Sequence, residues 1–285
     1  LKVRSFQVAA LVIVIVTAAI VITSLIYSNI PNAEKIPQDS SSGGAGRLAS
    51  VHVDRPRVRN LNPREGVYVY ETAPTVIPYE GIVYWRWVYN LAKQADSKWS
   101  VTSTNQGYLI KPNRTVEFIP VISRIVVDVS GLAIYENYTA GNRTDVLNEE
   151  LLPTTNDCIL ILVAPPWFIY LEPGEKVTIN SVVTYLRPGG GVPAREDIGF
   201  PPPGQEIVRE ELTVGDEVIP CNSPTGKCFE VTSNLDMRFL EDDRLTHQRT
   251  NRYRFLVDAE YGIVVLLEEY IGQDVVMRIS LVSWK

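Results

Sequence analysis

Two hydrophobic patterns divide the chain. From Val8 to Tyr27 the only polar groups on the side chains are those of Thr17, Thr23, Ser24 and Tyr27, so a helix drawn through this stretch is apolar on every face. At about 1.5 Å per residue it would reach roughly 30 Å, the thickness of a bilayer's hydrocarbon core. Pro31 should end it, because a proline inside a helix removes a backbone donor and clashes with the preceding turn. The stretch QDSSSGGAGRLAS, Gln38 to Ser50, has the small, polar, Gly-rich composition of a connector.

From Val67 the period changes to two. Short runs rich in β-branched and aromatic residues recur between turn residues: VYVYE from 67, IVYWRWVYN from 82, VEFIPVI from 116, RIVVDVSGLAIYE from 124, CILILVA from 158, WFIYLE from 167 and KVTINSVVTYL from 176. IVREELTV, CFEVT, RYRFLVDAEYGIVVLLEEYI and VVMRISLVSW follow. Pro173-Gly174 predicts a turn, with proline presetting φ and glycine supplying a positive one, and Ile271 to Asp274 predicts the turn of a C-terminal hairpin. The expected architecture is a long hydrophobic α-helix followed by an all-β, Ig-like β-sandwich head. The expected divisions are residues 1–36 for the helix and its exit, 37–65 for a linker and 66–285 for the head.

Composition narrows the function. With 45% hydrophobic and 21% charged residues in 285, the chain has enough apolar side chains for a sizeable core. Its net charge is −6 although Lys2 and Arg4 precede the apolar run. That balance argues against nucleic acid as a partner. The two basic residues, by the positive-inside rule, place everything after Tyr27 across the membrane.

The layout of Leu1 to Ile30, with no initiator Met, two early basic residues and then an uninterrupted apolar run, resembles the archaeal type IV pilin-like filament subunits, the group that includes archaellins. Leu1 and Ser5 stand where bacterial relatives commonly carry Phe and Glu. The resemblance implies cleavage before Leu1 by a class III signal peptidase, a membrane-inserted precursor, and a homo-oligomeric extracellular filament of many copies serving adhesion or motility. It also implies an assembly helix whose contacts run through Leu1, Val8, Leu11, Val14, Ile15, Ala18, Ile22, Leu25 and Ile26. The alternative is a monomeric, membrane-anchored β-sandwich acting as an envelope, receptor or solute-binding protein.

Chemistry is sparse. His52 and His247 are far apart and neither has a neighbouring Cys or second His, whereas a zinc or copper site needs three or four converging ligands. No nucleophile elbow, phosphate-cradling loop or paired-histidine zinc motif occurs, so neither an enzyme nor a cofactor is expected. Glu241, Asp242 and Asp243 lack the spaced oxygen ligands of a calcium loop and read as a solvated turn. Trp85, Arg86 and Trp87 alternate on a strand, where sheet packing is the expectation against a carbohydrate-binding shelf. Cys221 and Cys228 bracket NSPTGK, a turn-forming loop that can bring two strand ends to disulfide distance. Cys158 reads as a small buried hydrophobe. Asn113, Asn137 and Asn142 each begin an Asn-x-Thr sequon, and the pair in the stretch from Tyr135 to Thr144 suggests an exposed glycosylated loop, against plain polar loop residues.

Overall fold

The alternating head sequence builds one sheet rather than two. The computed structural model describes residues 47–77, 81–95, 98–118, 120–128, 133–140, 143–147, 153–155, 161–185, 204–241 and 244–285. In chain order the strands are β1 (Arg47–Val53), β2 (Gly66–Thr72), β3 (Thr75–Ile77), β4 (Gly81–Ala95), β5 (Lys98–Lys111), β6 (Arg114–Glu117), β7 (Val121–Asp128), β8 (Ala133–Ala140) and β9 (Arg143–Leu147). After a 3-10 helix (Pro166–Tyr170) come β10 (Lys176–Tyr185), β11 (Gly204–Val214), β12 (Ile219–Pro220), β13 (Lys227–Glu241), β14 (Arg244–Asp258), β15 (Val264–Ile271) and β16 (Asp274–Trp284). The hydrogen-bonded order is β1-β10-β11-β13-β14-β15-β16-β2-β4-β5-β7-β8-β9, with β3, β6 and β12 as short side pairings.

Two antiparallel meanders therefore meet where the last strand, β16, pairs with β2 (Leu281 opposite Tyr70). β1 crosses to the far edge and pairs along its length with β10, from Arg47 opposite Tyr185 to Val53 opposite Ile179. The sheet thus starts within the stretch 37–65 read as a linker. The Ig-like sandwich is corrected to a single continuous sheet, some of whose strands, such as β4, β13 and β14, reach 15 residues. The expected N-terminal helix lies outside the described residues. Among the described residues no helix is long and apolar enough to cross a membrane.

The core sits on one face of this sheet, filled by the chain itself. Ile161 to Leu171 is buried at every position, and the sequence runs here were expected to be strands. Pro165 and Pro166 explain the difference: neither can donate to a ladder, and the chain turns into a 3-10 helix beginning at Pro166. Its carbonyls find other donors, Ile169 O accepting from Val58 N–H at 2.9 Å and Leu162 O from Val264 N–H at 2.8 Å. Trp167 packs on Phe255 with ring centroids 5.1 Å apart, Phe168 stacks on Phe229 at 6.1 Å, and the Arg59 guanidinium lies over the Phe168 ring at 4.8 Å. The turns at Gly174 (φ 77°) and Gly272 (φ 63°) form where the sequence predicts them.

Candidate functional site

Period two on β11 sends Val208, Leu212 and Val214 into the core, and Glu210 goes with them. This carboxyl group is fully buried. It accepts hydrogen bonds from the Thr155 backbone N–H (2.8 Å), the Thr155 hydroxyl (2.5 Å) and the Ser233 hydroxyl. Burial pushes its pKa above the usual carboxylate range, and the three donors oppose that rise. The contact holds buried Thr155 against β11 and β13.

The polar character continues across the same face. Glu210 stands opposite Leu235, and Leu235 opposite Asn251; in the next row Leu212, Ser233, Tyr253 and Glu269 follow one another across β11, β13, β14 and β15. The Asn251 amide donates to the Tyr253 hydroxyl oxygen at 2.8 Å and to Glu269. Arg249, half-exposed, reaches the Glu269 carboxylate at 3.2 Å. Burial raises the Tyr253 pKa, with Glu269 adding to the rise. Burial likewise pushes Tyr68 up to about 12 and Tyr70 and Tyr89 further. These hydroxyls stay protonated at neutral pH; around Glu210 the donors are all neutral, whereas Glu269 combines the Asn251 amide with the Arg249 guanidinium.

On the outer face Glu268 is 1% exposed although it faces solvent-side strands. Arg254 covers it at 3.0 Å, Arg278 Nε donates to it at 2.7 Å and the Tyr270 hydroxyl donates at 2.8 Å. Arg254 also bonds Glu230 at 2.8 Å, making a four-residue ion ladder across β13, β14, β15 and β16.

The sequence-derived positions scatter. Leu1, Val8, Leu11, Val14, Ile15, Ala18, Ile22, Leu25 and Ile26 lie outside the described residues, as do Cys158 and Asn142. Asn113 is exposed in the β5–β6 turn. The segment from Tyr135 to Thr144, expected as a loop, is instead mostly the paired strands β8 and β9, with Asn137 opposite both Arg124 and Val146. Cys221 and Cys228 form a disulfide, their Cα atoms 5.8 Å apart. Between them Thr225 donates through its N–H and its hydroxyl to buried Asp258, at 3.1 and 2.8 Å, while the other Asp258 oxygen accepts from Glu260 and Tyr261 N–H. His52 and His247 sit apart, on β1 and β14. Among the described residues no group of three His, Cys, Asp or Glu side chains could hold a metal ion. Trp87 is buried and Trp85 stacks on Phe118 at 5.7 Å, as sheet packing requires.

Glu210, Asn251 and Glu269 were missed as site residues. The signal for them was present: each falls at an i±2 position of inward apolar residues, Glu210 between Val208 and Leu212, Asn251 before Tyr253 and Phe255, and Glu269 after Leu267.

No family model matches the chain, and no curated protein matches it. Among solved structures it is similar to a β-barrel-like protein of a domain of unknown function, DUF1849, from Brucella abortus, at 13% identity and a TM-score of 0.40, covering 80% of this chain and 99% of that one. It is similar to a protein described as exported, with a YmcC-like fold, from Bacteroides fragilis, at 12% identity and a TM-score of 0.32, covering 80% and 99%. It is also similar to a protein described as a lipoprotein from Parabacteroides distasonis, at 12% identity and a TM-score of 0.32, covering 81% and 100%. The head is a single continuous sheet and not the expected Ig-like sandwich, and no family model of such filament subunits matches the chain. The assignment to archaeal pilins or archaellins, with its fibre, adhesion and motility vocabulary, is therefore withdrawn.

Proposed function

We propose that this chain is an envelope protein, tethered to a membrane by its apolar N-terminal stretch, with a β-sheet head that works as a single copy on the outer side as a contact or solute-binding module. The observation that carries this reading is the Cys221–Cys228 disulfide. Disulfides persist in oxidising compartments, and here the bridge closes a loop on a head that follows Lys2, Arg4 and the apolar run from Val8 to Tyr27. Export of the head is the arrangement that satisfies both features. The filled core supports a monomer: the buried segment from Ile161 to Leu171 occupies the sheet's apolar face from within.

Two measurements on the native protein test this. Acid-trapped alkylation should find Cys221 and Cys228 oxidised in cells, and protease added to right-side-out membranes should digest the head. Light scattering of the detergent-solubilised full chain should give one copy per particle. Free thiols at both cysteines together with a protected head would overturn the reading.

A further inference from the structure

Several of the large apolar side chains left in water lie at one rim of the sheet. Val76 is 71% exposed, and Ile82, Ile110, Ile271 and Val275 are each more than a third exposed. Strand register places them at the same end. Ile82 stands between Val76 and Ile110, and Ile271 pairs with Asp274 at the β15–β16 turn. Directly opposite residues in antiparallel strands share a face, so Val76, Ile82 and Ile110 form one apolar row. One step inward on the same face, Tyr84 stacks on Tyr108 with centroids 4.8 Å apart.

This is also the end at which the chain enters the sheet. Arg47 faces Tyr185, Tyr185 faces Gly204, Gln205 faces Leu240 and Leu240 faces Leu245. Followed through the antiparallel ladder, the start of β1 lies at the rim that carries the β13–β14, β15–β16, β3–β4 and β5–β6 turns. Residues 28–46 separate the apolar run from Arg47, and a stretch of that length spans at most on the order of 60 Å.

We infer that this rim, on its β3 to β6 side, rests on the phospholipid surface of the same bilayer that holds Val8 to Tyr27. The inference relies on the tethered reading above and adds the face the head turns to the membrane. The aliphatic row enters the interface, the tyrosine pair sits at headgroup level, where amphipathic rings are favoured, and Lys111 and Arg114 at the β5–β6 turn meet phosphate groups. The side of the rim where exposed Glu241 ends β13 stays outside the contact, because its charge would be desolvated there. A glycan on Asn113, exposed in that same β5–β6 turn, would hold the row off the surface.

The test uses the full chain with Cys158→Ala, reconstituted into phosphatidylcholine vesicles and carrying one nitroxide label, at Ile110→Cys or at Val218→Cys, an exposed site at the opposite end. Flotation reports the tether. Relative accessibility to oxygen over a water-soluble nickel chelate reports immersion, and it should be severalfold higher at 110 than at 218. Flotation with equal ratios at the two sites overturns the docking while leaving the tether standing. Spin–spin broadening at 110 means a second copy covers the row and also overturns it. A chain that fails to float overturns both readings, and a glycan found on Asn113 of the native protein overturns the docking alone.

Discussion

A Cβ placed on Gly262 would lie 2.6 Å from Cδ1 of Phe168. The glycine has φ 71° and its N–H donates to Asp258 O at 3.0 Å, closing the β14–β15 turn directly against the ring that anchors the buried segment. Gly262→Ala therefore adds backbone strain to a collision in a packed core, and should cost about 2–4 kcal/mol. Gly272, at φ 63°, has nothing within 4 Å of the same position, so Gly272→Ala should cost only about 1 kcal/mol. Urea midpoints of the two variants separate packing from strain; equal losses would show that the Phe168 contact is relaxed.

Glu210 makes stability depend on pH in the direction opposite to a salt-bridged acid. Its folded pKa is raised above the ordinary carboxylate value, chiefly by burial, so the native state holds its proton where the unfolded state has released it. The contribution of this group is present below the unfolded pKa and is lost as pH rises through the folded pKa. Glu210→Gln keeps an acceptor for the Thr155 N–H and should flatten that part of the profile. Glu210→Ala leaves that N–H buried without its partner and should cost about 1–3 kcal/mol. Urea denaturation from pH 4 to 8 is the measurement, and a wild-type profile parallel to that of Glu210→Gln would refute the assignment.

Reduction of Cys221–Cys228, which closes a loop with a sequence separation of 7, should lower stability by about 2 kcal/mol through the entropy returned to the unfolded chain. Asp258→Ala should then cost less in the reduced protein than in the oxidised one. The reason is that Asp258 holds Thr225 inside this loop. A double-mutant cycle with Cys221→Ser/Cys228→Ser reads that coupling, and strict additivity would mean the loop is positioned without the bridge.

Glu268 depends on its cover. With the carboxylate 1% exposed beneath Arg254 and Arg278, removing one arginine leaves a poorly compensated charge. Arg278→Ala should cost about 1.5–3 kcal/mol, the range for a hydrogen bond to a charged group. The loss should shrink when Glu268→Gln is introduced first. Thermal unfolding of the single and double variants checks this, and an unchanged loss would mean that Arg278 acts through packing alone.

The sequence by itself determined that the head is all-β, because period two and turn residues are local properties. It placed the turns at Pro173-Gly174 and at Ile271–Asp274, and it set Cys221 and Cys228 across a short turn-forming loop as a candidate pair. It also carried the inward register of Glu210, Asn251 and Glu269, legible once each strand is given its phase. Which strands are neighbours was decided only in three dimensions. Alternation along a strand says which side is buried but not what covers it, so a second sheet and a buried length of the same chain give identical patterns. The covering segment, Ile161 to Leu171, is as apolar as a central strand, and only Pro165 and Pro166 hinted otherwise. Closing β16 onto β2 and β1 onto β10 joins residues more than a hundred positions apart. Those contacts form because the apolar face they share can be filled once, by one segment, and no local stretch of sequence contains that fact.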